Sequence, residues 1–384
     1  MTLHHHRLPQ PAPARVLACG AFLKNSACLI QGDEVIWSPV HGDLSDPGAR
    51  ESLEFSVTAL QRAARGPIAA VAHDLHPDFH STQLAQAVAA EQGVPAIPVQ
   101  HHHAHITAVQ AEQGLAESVV GLALDGVGLG TDGTAWGGEV LWVDGLQQTQ
   151  HWARLGHLAT LHLPGGDVAA QEPWRMAAAA LHASHHADLI APRLGPVVGE
   201  AAASMVLQML DKNLNSPATS SAGRWFDAVA GLLGLSVRQS VEAEAAVALE
   251  RAATAWLEVH PGIHPAWPSL DLKPLVIELL ALCPPGTTGA ALQEAQGRGA
   301  AMFHHALAGG LVHAAVAGAQ QRHTRTVVLG GGCFYNQLLT RLLTEPLTAA
   351  GLRVVAPQTI SCGDAGLALG QAWVAACKLQ NPSH

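Results

Sequence analysis

Short apolar runs, bounded by glycine, proline and polar turn residues, alternate along this chain with stretches whose apolar positions recur at helical spacing. "RVLACGAFLKNSACLIQGDEVIWSP", starting at Arg15, reads as two strands with a glycine-containing turn and a polar hairpin at Gln31–Glu34. A helix is expected over about Asp46–Ala64, then the strand "IAAVAHDL", then the helix "STQLAQAVAAEQG" with Ser81 as its N-cap, then the strand "PAIPV". A histidine-rich helix follows and ends near Gly114. After a short linker near Leu115–Ser118, "SVVGLALDGVGLGTDGTAWGGEVLWVDG" predicts a buried strand, a glycine-rich turn and a second strand carrying Trp142. The pattern from Ala169 to about His260 is almost entirely helical. "TVVLGGGCFYNQLLTRLLTEPLTAAG" then predicts strand, glycine turn and helix, "RVVAPQ" a short strand, and "SCGDAGLALGQAWVAACKL" a glycine turn opening a helix. This order of elements suits a mixed α/β protein whose sheets are covered by helices.

At 384 residues the chain suits two lobes better than one core. With 48% hydrophobic and 13% charged residues it is globular, and its formal charge of −10 without any basic stripe argues against nucleic acid as a partner. Six cysteines without a C-x-x-C pair exclude a zinc ribbon and provide no disulfide framework, so a cytoplasmic location is expected. The start "MTLHHHRLPQPAPAR" has no apolar signal region, and no uninterrupted apolar run reaches membrane-spanning length, so no membrane association is expected. Residues 1–14 are expected to form a mobile tail.

The 24 histidines outnumber the 20 lysines and arginines, and four of them fall together in "PVQHHHAHITAV". On a helix, His101 and His105 stand at i and i+4 and share a face, while His102 and His103 point elsewhere. A metal held by that pair would need further ligands, normally carboxylates, and the residues alone favour a satisfied or exposed histidine cluster over a metal site. "DGVGLGTDG" (Asp125–Gly133) and "LGGGCFYN" (Leu329–Asn336) bring backbone amides to strand ends, where phosphate can be approached closely. Asp364 of "SCGDAG" stands at a helix start, where it either caps the helix or reaches a metal held by another loop. "LPGGDVAAQEPWRMAA" and "TSSAGRWFDAVAGLLG" add two unusual segments, the second with Arg224 and Asp227 at a helix start.

Taken in order from about Arg15 to Lys378, "VAHDLHPDFHST", "QHHHAHITA", "DGVGLGTDGTAWGGE", "LPGGDVAAQEPWRMA" and "TSSAGRWFDAVAGLLGL" resemble the carbamoyltransferase module of the hydrogenase maturation factor HypF. That module is in turn similar to the tRNA threonylcarbamoyl transferases TsaD or Kae. The resemblance implies an α/β fold of the actin/sugar-kinase/chaperone-ATPase superfamily with two RNase-H-like lobes. The first would span 15–118 and the second 119–384, with a helical insertion at about 169–320 and a C-terminal helix packing back on the first lobe.

The resemblance also implies a metal, iron or zinc, on His101, His105, Asp125 and Asp364, which leaves His102 and His103 for supporting roles. ATP or carbamoyl-adenylate, with magnesium as a further candidate, would lie near Gly331, Gly332 and Asn336. Gly223 and Asp227 would address the ribose, with Lys24 and Asn25 on the first-lobe side and Gly128 in the first turn. The implied reaction carries a carbamoyl group, activated from carbamoyl phosphate and ATP, to the C-terminal cysteine of HypE for cyanide-ligand synthesis in nickel–iron hydrogenase. The nucleophile then belongs to HypE, and Cys333 and Cys362 are expected to be small buried residues.

Full-length HypF proteins carry acylphosphatase, zinc-site and YrdC-like domains that do not fit ahead of Arg15. A stand-alone transferase supplied by a separate YrdC-like adenylate-forming protein is therefore expected. The usual "SGGVFQN" reads "GGGCFYN", the usual "NDGG" reads "GDAG" with Gly363 in place of Asn, and the usual "YEGQAA" reads "VEAEAA" with Ala243 and Glu244. A methyl group at Ala243 and an extra charge at Glu244 bear on the nucleotide more than on the metal. They favour the alternative of a catalytically idle nucleotide- and metal-binding scaffold that docks maturation partners.

Overall fold

The computed structural model describes residues 2–262 and 267–380. Its first sheet comprises β1 (His4–Arg7), β2 (Val16–Ala18), β3 (Cys28–Gln31), β4 (Glu34–Trp37), β5 (Ala70–Asp74) and β6 (Ala96–Val99), in the order β1-β4-β3-β2-β5-β6. Residues 15–39 thus form three strands rather than two, joined at the tight β3–β4 turn by Gly32 at φ +58°. The N-terminal segment is not a free tail. His4–Arg7 pairs antiparallel with β4 and Leu8 is buried, because the edge of β4 offers backbone groups that a further strand satisfies.

Helix α1 (Pro47–Ala63) starts as expected, with Asp46 accepting a hydrogen bond from Gly48 N and proline in the first turn. Helix α2 (His80–Gln92) starts two residues earlier than expected, with Phe79 at the N-cap position and no side-chain cap. Ser81 therefore sits inside the first turn with its hydroxyl buried, not at the cap. Helix α3 (His101–Gln113) is capped by the Gln100 side chain, which accepts from His103 N, and is stopped by left-handed Gly114.

The second sheet contains β7 (Val119–Leu129), β8 (Ala135–Val143), β9 (Trp152–His157), β10 (Leu161–His162), β11 (Ala218–Thr219), β12 (Thr326–Gly330) and β13 (Arg353–Val355). Its order is β10-β11-β8-β7-β12-β13, with β9 on β8. The stretch "DGVGLGTDG" is not all turn: β7 continues to Leu129 past an irregularity between Leu124 and Gly128.

Between β10 and β12 lie α4 (Val168–Gln171), α5 (Pro173–Ala183), α6 (Ile190–Val198), α7 (Glu200–Asp211), α8 (Ala222–Leu232), α9 (Glu244–Val259), α10 (Leu275–Leu282) and α11 (Gly289–Gln321). The stretch from Ala169 to about His260, expected to be helical, holds α4–α9, interrupted by β11; residues 263–266 lie outside the described residues. Trp174, Trp225, Phe226 and Phe303 anchor the core these helices share with the second sheet. Among the described residues α11 is the one helix long and apolar enough to cross a membrane, at mean hydropathy 1.3, but 56% of that window is buried within the protein. Helices α12 (Gln337–Ala349) and α13 (Leu367–Gln380) complete the chain as described.

The two halves exchange helices. α3, from the first half, packs on β7, β8 and β12, whereas α13, from the second, packs on β2, β3 and β5. The two helices also meet each other at Gly370, where a Cβ would lie 1.8 Å from Ala104 O, so only glycine permits the approach. This crossing places the start of α3 between the two sheets.

Candidate functional site

At that crossing His101 and His105 lie one turn apart on α3, with ring centroids 4.9 Å apart. Asp125 reaches them from β7, where the strand leaves regular pairing, and Asp364 from a single 3-10 turn (Asp364–Gly366) leading into α13. Asp125 Oδ2 lies 3.2 Å from both His101 Nε2 and His105 Nε2, and Asp364 Oδ1 lies 3.4 and 3.5 Å from the same two atoms. One donor atom from each of the four residues falls within 4.8 Å of all the others. Asp364 is the first residue of that 3-10 turn, after Gly363, and its carboxylate faces the two histidine rings.

The surroundings hold these groups in place. Gly126 N and Gly332 N donate to Asp125 Oδ1 at 2.8 and 3.3 Å, which leaves Oδ2 turned to the histidines. Asp74, the last residue of β5, is fully buried and accepts a 2.7 Å hydrogen bond from His101 Nδ1. That bond keeps the proton on Nδ1 and turns Nε2 to the carboxylates, the direction from which a cation that displaces the Nε2 proton would be ligated. Burial opposes a charge on the His101 ring, but Asp364 and Asp74 outweigh it and raise its pKa well above the ordinary value. Burial likewise opposes ionisation of Asp125, yet His101 and His105 hold its carboxyl well below the usual range. A buried cluster with this excess of carboxylates attracts a cation, and two imidazoles with two carboxylates fit iron or zinc.

His102 and His103 support the helix instead. His102 Nδ1 accepts from Gln100 Nε2 at 3.0 Å, and His103 stacks on Trp152 with centroids 4.9 Å apart. Burial lowers both pKa values, His102 well below the ordinary value and His103 to about 3, so both rings stay neutral.

Residues 11–112 match the family model for the HypF Kae1-like domain, and residues 121–371 match that for the second subdomain of the carbamoyltransferase Kae1-like domain. A carbamoyltransferase HypF homolog of Cupriavidus necator is 57% identical over 370 residues, covering 94% of this chain and 92% of that protein. The chain belongs to the HypF carbamoyltransferase family. Carbamoyltransferase HypF2 of the same organism is 46% identical over 98% of this chain, and the match covers 48% of that protein. A full-length HypF crystallised in a phosphate- and nucleotide-bound form superposes with a TM-score of 0.84 at 29% identity, over 98% of this chain and 48% of that one. The HypF of T. kodakarensis gives 0.82 at 30% identity, over 98% of this chain and 49% of that one. The chain thus spans about half the length of these longer HypF proteins.

The residues that HypF resemblance assigns to a nucleotide divide into two groups. Gly331 (φ +107°) donates its N–H to Cys362 O at 2.8 Å, and a Cβ there would meet Leu124 O at 2.3 Å, so the turn after β12 needs glycine. Gly223 also approaches Gly126, a Cβ falling 3.0 Å from its Cα, and Ser221 caps α8 while its hydroxyl bonds the carbonyls of Asp125 and Gly126. Gly331, Gly332 and Gly223 therefore all converge on the Asp125 loop. Gly128 makes room for the histidine helix, since a Cβ would lie 2.7 Å from His102 Cε1. Asp227 is buried, which raises its pKa, and it sits 2.7 Å from Arg224 Nη2 and 3.2 Å from Gln239 Nε2.

The two asparagines expected beside the nucleotide, Asn25 and Asn336, both make hydrogen bonds within the protein. The Asn25 amide is fully buried, donates to Cys19 O and Ala21 O and accepts from His41 Nδ1. Asn336 caps α12 by accepting from Leu339 N at 2.8 Å, and its Nδ2 donates to His304 Nε2 at 2.9 Å. Both amides are satisfied inside the protein, as buried polar groups must be. Lys24 is exposed, and its ammonium is 2.9 Å from Glu242. Cys333 and Cys362 are free, partly buried thiols whose pKa values burial pushes up. Asp74 carried no role in the sequence reading although it lies in a recognised stretch; its signal is a carboxylate at the end of the strand preceding the histidine helix by one βα unit.

Proposed function

We propose that the chain is a carbamoyltransferase that moves a carbamoyl group from carbamoyl-adenylate, made from carbamoyl phosphate and ATP, to the C-terminal cysteine thiol of HypE for cyanide-ligand synthesis. The observation that carries this reading is the convergence of His101, His105, Asp125 and Asp364 within 4.8 Å in a chain of the HypF family. In the step, the partner's sulfur bonds to the carbamoyl carbon, the bond from that carbon to the adenylate oxygen breaks, AMP leaves and the thiol proton is lost. An iron or zinc ion bound by the four residues would supply Lewis acidity toward an acyl or phosphate oxygen, with magnesium a candidate companion of the phosphate. The protein's own part is positional. Asp74 holds the His101 proton at Nδ1 so that Nε2 can ligate, and the amides of Gly126 and Gly332 hold Asp125 Oδ1. The bare backbone of Gly331, Gly332 and Gly223 lets their turns close directly on the Asp125 loop, beside which an adenylate would lie. Six free thiols agree with work in a cytoplasm.

A second reading, an idle nucleotide- and metal-binding scaffold that docks maturation partners, draws support from one observation. Ala243, where the resemblance leads one to expect glycine, adopts a left-handed φ of +63° beside Glu242, which pairs with the Lys24 ammonium. The test mixes the purified protein with ATP, carbamoyl phosphate and HypE, with and without a YrdC-like protein, and follows the mass of the HypE C-terminal peptide. A carbamoyl mass gain supports the transferase. No gain, with HypE shown competent using full-length HypF, favours the scaffold.

A further inference from the structure

α3 carries two of the candidate ligands, and near its other end it grips the segment that delivers a third. The Glu112 carboxylate, buried on α3, accepts hydrogen bonds from Gln358 N at 3.0 Å, Thr359 N at 2.5 Å, Thr359 Oγ1 at 2.6 Å and Ile360 N at 2.9 Å. Three consecutive amides and a hydroxyl turned onto one carboxylate fix both the position and the direction of that backbone. The chain then runs directly through Ser361 and Cys362 to Asp364. On the way Cys362 O accepts from Gly331 N at 2.8 Å, and Ser361 Oγ is 2.7 Å from Tyr335 Oη. Beyond Asp364 the backbone enters α13, which itself packs on α3.

We propose that Glu112 is a positioning residue for the metal site, setting Asp364 at the right distance from His101 and His105 by anchoring residues 358–360 to the helix that bears both histidines. The inference rests on the metal-site reading above and adds to it that three of the four ligands take their placement from one helix. Burial opposes ionisation of Glu112, but the bonds from Thr359, Ile360 and Gln358 keep its carboxyl below the usual range, so the anchor is charged at neutral pH. Charge-assisted bonds of this kind are the stronger ones, and supporting partners of metal ligands typically govern affinity by about 10- to 100-fold.

The test is Zn²⁺ titration by competitive calorimetry of the full chain as wild type, Glu112→Gln, Asp364→Asn and the double variant, with the Co²⁺ absorption spectrum as second readout. Glu112→Gln should weaken Zn²⁺ binding by roughly tenfold or more while far-UV circular dichroism is kept, and should shift the Co²⁺ spectrum toward that of Asp364→Asn. In the Asp364→Asn background the same change should add less than about twofold, no more than the scatter of additivity itself, because the two residues act through one placement. Thr359→Val, which removes one donor only, should weaken binding in the same direction by less, and it serves should Glu112→Gln fail to fold. An equal loss in both backgrounds would show a merely structural role, and no loss in either variant overturns the proposal. Absence of Zn²⁺ uptake by the wild type removes the metal-site reading itself, an outcome distinct from a metal-loaded protein indifferent to Glu112.

Discussion

Replacing Asp74 measures how much of the site's affinity lies outside the four candidate donor atoms. Its Oδ2 accepts from His101 Nδ1 at 2.7 Å, and the side chain is wholly buried. In Asp74→Asn the amide oxygen can still accept that proton, so the tautomer and ring direction persist while the negative charge behind the ring is lost. In Asp74→Ala both are lost, the Nδ1–H has no acceptor there, and the ring gains space to turn. Supporting carboxylates of this type are worth about 10- to 100-fold in metal affinity, or about 1.4 to 2.8 kcal/mol. The charge alone should account for the lower end and charge plus orientation for the upper. Asp74→Asn is therefore expected to weaken Zn²⁺ binding by about tenfold and Asp74→Ala by about a hundredfold. Competition with a chromophoric chelator reads both, with circular dichroism to establish that each variant is folded. Wild-type affinity in folded Asp74→Ala, or tighter binding by Asp74→Ala than by Asp74→Asn, would refute the reasoning.

Two further substitutions probe the backbone around the site. Gly128→Ala places a methyl 2.7 Å from His102 Cε1 and 2.8 Å from His101 Cβ, and should destabilise the fold by about 1–3 kcal/mol and lower metal content together, read by thermal melting and elemental analysis. Ala243→Gly relieves a left-handed backbone at φ +63°, a gain of about 1–2 kcal/mol offset by about 0.5–1 kcal/mol of glycine entropy, so a small rise in melting temperature is expected, together with tighter nucleotide binding by calorimetry.

What could be read from the residues was set by how local the deciding interaction is. The spacing of His101 and His105 suffices to put them on one helical face, and Gly114 suffices to end that helix, because both depend on neighbours within a turn or two. Capping and ligation by Asp364 could not be separated, since the choice depends on where α3 crosses α13, an approach made possible by Gly370 against Ala104. The strand at His4–Arg7 was missed because its composition suggests a tail, and its partner β4 is contributed by a distant hairpin. Asn25 and Asn336 sit in glycine-rich segments, and their partners His41 and His304 come from elsewhere in the chain, so these bonds could not be read locally. Asp74 shows the reverse case: its role follows from the parallel pairing of β5 and β6, which sets the end of one strand beside the helix that follows the other.

The most direct test of the central claim is metal stoichiometry by plasma mass spectrometry on the protein purified without added chelator, for the wild type and His105→Ala. One iron or zinc per chain in the wild type, lost in a folded His105→Ala, is the result expected. A folded wild type without stoichiometric metal, or one whose metal survives His105→Ala unchanged, would contradict the account.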